Sequence, residues 1–210
     1  MDKIVKTLIE QRVAVRKASQ TGADGECLRH MVNEVFVNEC GYKSAATDAW
    51  DAVSQYYLMT VDGMPAGCAR MVDPLAFPEA AGELPRMDSR CRFAMEEDFP
   101  LDAVLPDAVG FVEVGRFVVL PRFRGQCGLP LLIGAAVLYA RHHGRKGNIG
   151  IGHPKVTKTY ESLGWRPLGE CFHSRTNRGP AQAMIIRTGD VAPLWRERVA
   201  AMEERGVIAI

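Results

Sequence analysis

Residues 110–144 constrain the fold of this chain more than any other stretch. Residues 110–120 read GFVEVGRFVVL, a β-branched run typical of a buried strand. Residues 128–144 read GLPLLIGAAVLYARHHG, a helix that is apolar nearly all round and therefore predicted to be buried. Pro130 is tolerated because it falls in the first helical turn. A strand joined by a short turn to a buried helix indicates a mixed α and β domain built around this unit.

Elements before this unit add antiparallel strands. Residues 12–19 alternate as a strand does, and residues 56–72 form a predicted hairpin that turns at Asp62-Gly63. Between them lies a predicted helix that ends at Gly41. Its apolar face recurs at three- and four-residue spacing through Leu28, Met31, Val32, Val35 and Phe36.

Elements after the unit close the domain. Residues 148–152 are a predicted short strand and residues 154–164 a short helix, followed by two strands and an amphipathic C-terminal helix at 190–206. Residues 73–108 form a long connection of the kind that serves as a lid or binding loop. We therefore expect one α+β domain over residues 1–210, with a lid-like insertion at 73–108.

Composition excludes several classes of protein. With 210 residues, 47% of them hydrophobic, the chain can bury the core of one medium domain. A net charge of +1 does not favour a nucleic-acid binder, and no apolar run is long enough for a membrane span. The N-terminus lacks the apolar stretch of a signal peptide. The six cysteines form no CxxC pair, so we expect no metal site, reduced thiols and a cytoplasmic protein.

The turn between strand and helix, PRFRGQCG, is a candidate anion site. Helix N-termini present free N–H groups to anions, and a glycine such as Gly125 allows close approach of a phosphate. Arg122 and Arg124 add charge-assisted hydrogen bonds. The alternative interpretation is an ordinary basic turn with a glycine for its backbone angle.

This turn resembles the acyl-carrier turn Q/R-x-x-G-x-G/A of the GCN5-related N-acetyltransferase (GNAT) superfamily, from Arg122 to Cys127. Residues 159–170, TYESLGWRPLGE, are similar to its downstream signature. The resemblance implies a mostly antiparallel central sheet flanked by helices, with strands four and five splayed around a pantetheine arm. Cys127 departs from the small residue usual at the end of the turn. The residues implied to bind the donor are Phe117, Val118, Val119, Arg122, Arg124, Gly125, Gln126, Cys127 and Gly128.

An ordered series of motifs narrows the resemblance. Asp48-Ala-Trp-Asp51, Gly67-Cys-Ala-Arg70 and Glu113-Val-Gly-Arg116-Phe resemble motifs of acyl-homoserine-lactone synthases and long-chain N-acyl amino acid synthases. Val32 stands where the lactone synthases carry an arginine, which argues against a strict lactone synthase.

The charged members of these motifs need partners, because charges within a sheet persist only when paired and hydrogen-bonded. Glu113 and Arg116 are three residues apart on a predicted strand, so we expect them on opposite faces. Arg116 is expected to pair with Asp48 or Asp51 and Glu113 with Arg70, or the reverse. Such a network either orders the loop structurally or shapes an acceptor pocket, and the two roles are compatible.

The resemblance also implies catalytic roles. Glu113 is expected to act as general base, through water, on an attacking amine, and a backbone N–H within 117–119 to polarise the thioester carbonyl. Tyr160 matches the tyrosine that donates a proton to the leaving thiolate, or is a packing aromatic beside Trp165. His153 contacts the acyl or amine site, or is a helix-start histidine bonded to backbone.

The function implied is transfer of an acyl group, with a long chain favoured, from acyl carrier protein or CoA to the amine of an amino acid or related small molecule. Short-chain transfer from acetyl-CoA is the alternative enzyme. A non-catalytic acyl-thioester-binding module is the alternative from another class. We expect the thioester as co-substrate without a resident cofactor, and a monomer or homodimer.

Overall fold

The computed structural model describes residues 2–41, 48–76, 93–125, 128–174 and 179–210. These residues form a sheet in the order β1-β2-β3-β4-β5-β8-β6, with β7 also paired to β8. Every pairing is antiparallel except β4 with β5. The strands are β1 Ala14–Ala18, β2 Ser54–Val61, β3 Met64–Val72, β4 Phe111–Val119, β5 Gly147–Gly152, β6 Arg166–Pro167, β7 Phe172–Ser174 and β8 Gly179–Arg187. The predicted mostly antiparallel sheet is confirmed.

Six α-helices lie in the described ranges: α1 Lys3–Glu10, α2 Gly22–Val32, α3 Leu101–Val104, α4 Gly128–His142, α5 Thr157–Ser162 and α6 Pro193–Glu204. Helix α2 continues as a π-helix at Asn33–Glu39, a departure from the regular helix that the apolar spacing predicts. The predicted helix at 154–164 is a 3₁₀ turn, Pro154–Val156, followed by α5. Helix α1 was not predicted; Asp2 caps it by accepting the Ile4 N–H at 2.8 Å.

The helices cover the two faces of the sheet. Successive residues of a strand point to opposite faces. The Tyr57 ring meets Tyr139 of α4 edge-on at 6.3 Å, so α4 lies on that face. Tyr56 points the other way and lines a cavity with Leu28 and Val32 of α2. The α2 face is also the one that carries the charged motifs.

Residues 93–108 of the insertion pack on the sheet as a second apolar core. Phe93 is 0% exposed and Met95 is 2% exposed. The cluster also contains Phe99, Leu101, Leu105, Ala108, Phe111, Ile149 and Ala183. This segment therefore covers β4, β5 and β8 beside Glu113. Residues 77–92 of the insertion lie outside the described residues.

The described residues bear on two expectations from composition, the membrane span and the state of the cysteines. No helix in these ranges combines the length and apolar character needed to cross a membrane. The four cysteines within them, Cys27, Cys40, Cys68 and Cys171, are free thiols.

Candidate active site

A β-bulge in β4 brings the charged residues to one face. Arg70 of β3 faces Gly115, but Cys68, two residues earlier, faces Val118, so β4 carries one extra residue here. Arg116 takes a left-handed backbone angle, φ 48°. The extra residue turns Arg116 to the same face as Glu113. The prediction of opposite faces is therefore wrong, because it assumed an unbroken strand period.

Two arginines and two aspartates form a compact network on this face. Arg70 Nη1 donates to Asp48 Oδ1 at 2.6 Å and to Asp51 Oδ1 at 3.0 Å. Arg116 Nη2 donates to Asp48 Oδ2 at 2.9 Å, and its Nε lies 4.0 Å from Asp51 Oδ1. The two strands and the segment that begins at Asp48 are thereby joined across the sheet.

The aspartates are held by a 3₁₀ turn, Ala49–Val53. Asp48 accepts the Trp50 N–H at 3.0 Å, and Asp51 accepts the Asp48 N–H at 3.1 Å. The Trp50 indole N–H donates to Glu97 Oε1 at 3.1 Å, which ties the turn to the insertion. Burial opposes ionisation of Asp48, but Arg70 and Arg116 outweigh it and hold the Asp48 pKa below its usual range.

Glu113 is the exception within this set. Its side chain is 6% exposed, and Oε2 accepts the Met95 N–H at 3.3 Å. Among the described residues no guanidinium hydrogen-bonds to it. Burial raises the pKa of Glu113 to about 7, against the opposing attraction of Arg70 and the N–H groups of Met95 and Ala94. A carboxyl with this pKa exchanges a proton readily near neutral pH.

Arg70, the arginine that attracts Glu113 electrostatically, carries a buried donor without a partner among the described residues. The residue is 5% exposed, and its Nε is buried without a hydrogen-bond partner in the described part of the chain. Buried donors are normally satisfied, by water where no protein group is present. A bridging water or a polar group of a ligand would satisfy this Nε donor.

The predicted splay between β4 and β5 follows directly after Glu113. The two strands pair from Phe111↔Gly147 to Glu113↔Ile149, and their further residues, all described, are not paired with each other. Gly150 is needed at the point of divergence, because a Cβ there would lie 2.5 Å from the Val114 carbonyl oxygen. A cavity opens between the strands, lined by Val114, Phe117, Gly150, Gly152, Tyr160 and Trp165.

Tyr160 forms one wall of this cavity. Its ring lies 6.4 Å from the Phe117 ring and 5.5 Å from the Trp165 ring, centroid to centroid. Burial raises the Tyr160 pKa, so the hydroxyl stays protonated at neutral pH. No described residue accepts a hydrogen bond from that hydroxyl. Tyr160 thus packs beside Trp165 and also lines the cleft, so the structure is compatible with both interpretations of this residue.

The turn after β4 differs in detail from the anion site that the sequence predicts. Arg124 donates through both terminal nitrogens to Glu39, at 2.6 Å each, and through Nε to the Val119 carbonyl at 3.0 Å. Its guanidinium is therefore already occupied. Arg122 is exposed and stacks 4.8 Å from the Phe123 ring centroid. Gly125 has φ 80°, and a Cβ there would meet no atom within 4 Å.

The other implied donor-binding residues have different surroundings. Val118 is fully buried opposite Cys68, whereas Val119 is half-buried at the end of β4. A Cβ on Gly128 would lie 3.0 Å from Val119, so α4 begins in close contact with β4. Gln126 and Cys127 lie outside the described residues.

His153 does not join the charged network. It is exposed, and its Nδ1 accepts the Lys155 N–H at 3.1 Å at the start of the 3₁₀ turn. The structure thus places it in the helix-start position that the sequence offered as the alternative.

Four partners of the site were missed by sequence reasoning. Glu39 binds Arg124, Tyr56 donates to Asp51 Oδ1 at 2.8 Å, Glu97 binds Trp50, and Met95 contributes its N–H to Glu113. Tyr56 alone could have been predicted from the local sequence, because it lies only five residues after Asp51. The others depend on contacts between segments far apart in the chain.

Comparisons with known proteins agree with this geometry. A family model described as an acetyltransferase (GNAT) domain matches residues 28–134, just over half of the chain. No curated protein matches. FeeM, an N-acyl amino acid synthase from uncultured soil microbes, superposes with a TM-score of 0.60 at 17% identity, over 92% of this chain and 98% of that one.

Two solved structures described as CoA-dependent acyl-homoserine lactone synthases are also similar. BjaI superposes with a TM-score of 0.66 at 15% identity, over 94% of this chain and 92% of that one. MesI superposes with a TM-score of 0.63 at 21% identity, over 94% of this chain and 99% of that one. At these identities the likeness establishes the fold. Together with the family model and the cleft between β4 and β5, it shows that this chain belongs to the GNAT family of acyltransferases.

Proposed function

We propose that this enzyme transfers an acyl group from a thioester, of CoA or of an acyl carrier protein, to the amine of an amino acid or related small molecule. The observation that carries the proposal is the position of Glu113. A buried carboxyl with a pKa of about 7 lies immediately before the bulge and the cleft of β4. General bases work best when their pKa is close to the operating pH.

The reaction balances with groups already present. The amine nitrogen attacks the thioester carbonyl, a C–N bond forms and the C–S bond breaks. The proton lost by the amine passes to Glu113 through a bridging water. The leaving thiolate takes up a proton from solvent while hydrogen-bonded by Tyr160, and Glu113 then releases its proton to solvent, so no net proton is gained or lost. Beyond Glu113 the β5-facing edge of β4 has no strand partner, so its backbone N–H groups are available to polarise the carbonyl oxygen.

We propose that Tyr160 assists the leaving sulfur. It lines the same cavity as Phe117, and its raised pKa keeps the hydroxyl protonated. A hydroxyl with a raised pKa is a weaker acid than an ordinary thiol, whose pKa is about 8.5. We therefore assign Tyr160 a hydrogen bond to the leaving thiolate more than a complete proton transfer.

Donor binding is proposed in the cleft and at the turn after β4. The pantetheine arm would insert beside Phe117. The phosphate would approach Gly125, where a Cβ would meet no atom within 4 Å. Arg122 has no ion-pair partner among the described residues and is the first candidate for phosphate contact. Arg124 would first have to leave Glu39.

The length of the acyl chain is a second point of the proposal. The motif series that resembles the long-chain N-acyl amino acid synthases supports a long chain, and similarity to a protein named as an N-acyl amino acid synthase supports an amino acid acceptor. One observation favours the short-chain alternative. Phe93, Met95 and Phe99 of the lid-like insertion, apolar side chains of a kind that could line a fatty-chain pocket, are all buried in the second core. We keep long-chain transfer as the proposal, with acetyl transfer as the competing one.

An intact-mass screen tests both. The protein is incubated with acetyl, octanoyl and palmitoyl thioesters of CoA and of an acyl carrier protein, each with a panel of amino acids. Expected are amide products from long-chain donors, lost in Glu113→Gln. Products from acetyl-CoA alone would replace the long-chain proposal. Thermal stabilisation by acyl-CoA without product from any donor would identify a non-catalytic binder.

A further inference from the structure

A second cavity lies beside the charged network, between helix α2 and the start of β2. Helix α2 contributes Gly25, Leu28, Arg29 and Val32 to its wall. Asp51 and Tyr56 form the network side, and Gln20 completes the lining. The cavity is therefore apolar along the helix and polar along the network.

This cavity is connected to the proposed reaction centre through a short chain of contacts. Asp51 Oδ1 accepts hydrogen bonds from Tyr56 and Arg70 and lies 4.0 Å from Arg116 Nε. Arg116 forms the bulge and directly precedes Phe117, which lines the cleft. A small molecule in the cavity thus lies against the network that borders β4.

Arg29 gives the cavity its chemical character. The side chain is exposed, and its Nη1 donates one long hydrogen bond, 3.5 Å, to the carbonyl oxygen of Gln20. No carboxylate among the described residues pairs with it. Arg70 and Arg116, in contrast, are both engaged with aspartates. Arg29 is therefore a cation at the cavity wall with its fork of donors still available for a planar anion.

We propose that Arg29 binds the carboxylate of the acceptor, so that the enzyme selects amino acids over amines without a carboxylate. This inference rests on the proposed acyltransferase function. The carboxylate pairs with Arg29, the apolar part of the acceptor packs on Leu28 and Val32, and the amine is directed toward the network. A bidentate guanidinium–carboxylate pair fixes orientation as well as charge.

The test compares acceptors that differ only in the carboxylate. Leucine is matched with isoamylamine and phenylalanine with phenethylamine, using the donor that gives most product in the wild type. We expect the wild type to prefer the amino acid of each pair. Arg29→Gln should raise KM for the amino acid at least about tenfold, as expected for loss of a charged hydrogen bond. Its kcat and its KM for the amine should change little, and Arg29→Lys should recover part of the loss.

Lys17→Gln is the matched control, because it removes an exposed cation from β1 outside the cavity lining. An unchanged amino-acid KM in Arg29→Gln, or equal use of amines and amino acids by the wild type, overturns the inference and leaves the acyltransferase intact. If no donor gives product, the proposed function fails instead. Calorimetric titration with leucine and phenylalanine then decides: binding lost in Arg29→Gln but kept in Lys17→Gln supports the site, and no binding to the wild type overturns it.

Discussion

Two buried carboxylates lie at the same level of the sheet and have opposite surroundings. Glu113 is the cross-strand partner of Val72, and Asp73 is the next residue along the chain. Asp73 accepts two hydrogen bonds from Arg145 Nε, at 3.1 and 2.9 Å, one from the Tyr139 hydroxyl at 3.3 Å and one from the Leu75 N–H at 3.1 Å. Glu113 accepts hydrogen bonds from backbone N–H groups and interacts electrostatically with Arg70, but no described arginine hydrogen-bonds to it.

The contrast separates a structural carboxylate from a reactive one. A buried charge is stable when a counter-charge and hydrogen bonds satisfy it, as at Asp73. Where the partner is missing, burial favours the protonated form, as at Glu113, whose pKa rises to about 7. The same level of the sheet thus holds one carboxylate paired with an arginine and one without such a partner, and the second can accept a proton at neutral pH.

The largest expected effect is on turnover by Glu113→Gln. The amide keeps the shape of the side chain but cannot accept the proton, so kcat should fall by about 10²–10⁴-fold. Product formation by mass spectrometry measures this, with circular dichroism to confirm the fold. A correctly folded variant within threefold of the wild-type rate would remove Glu113 from the mechanism.

Asp73→Asn should give the opposite pattern. Removing one partner of a buried pair leaves Arg145 uncompensated, and we expect a loss of about 3 kcal/mol in the free energy of unfolding. Arg145 keeps 16% of its side chain exposed, which places the loss at the lower end of the range for buried pairs. Urea denaturation measures it. At temperatures where the variant is folded, kcat should stay near the wild-type value; a large loss of kcat without loss of stability would contradict the contrast.

The stability of the wild type should depend on pH through Glu113. The folded pKa of about 7 lies above the usual 4.5, so the folded state binds more protons between these values. Stability contributed by this group is therefore full below pH 4.5 and decreases as the pH rises to 7, by about 3 kcal/mol in total. In Glu113→Gln this decrease should be absent. The free energy of unfolding in urea, measured against pH, tests this. If it changes with pH in the same way in both proteins, the raised pKa of Glu113 is wrong.

The smallest predicted effect concerns Glu39→Gln. The Glu39–Arg124 pair is exposed, 43% for each side chain, so its contribution to stability is about 0–1 kcal/mol. Freeing Arg124 for the donor phosphate should lower the donor KM about two- to fivefold, a change of less than 1 kcal/mol. Steady-state kinetics at low salt measures it. An unchanged donor KM would mean that Arg124 tethers the π-helix and does not contact the phosphate.

Local patterns in the sequence predicted most of the fold. The Asp62-Gly63 hairpin, the buried helix α4 and the strand at 110–120 all follow from periodicity and turn chemistry within one segment. The splay of β4 and β5 came from the resemblance to a family. In contrast, helix α1 was missed although its local signals are present, with Asp2 as N-cap and Val5 and Leu8 on the buried face. The π-helix after Val32 departs from the regular helix that the apolar spacing predicts.

The sequence predicted which residues form the candidate site better than it predicted how they are arranged. Asp48, Asp51, Arg70 and Arg116 do meet, as their alternating charges require. The bulge that puts Arg116 beside Glu113 depends on the register between β3 and β4, which no short segment contains. The Glu39–Arg124 pair likewise joins residues from distant segments. Sequence therefore identified which charges need partners, and tertiary structure decided which partners they obtain.

The pH dependence of kcat/KM for the best donor and acceptor tests the central claim most directly, because it reports the ionisation of the base in the free enzyme. The account predicts that kcat/KM falls tenfold per pH unit below an apparent pKa of about 7, the value given by burial of Glu113. This limb should be missing from the residual activity of Glu113→Gln. A limb near pH 4.5, or the same limb in both proteins, would contradict the assignment of Glu113 as the base.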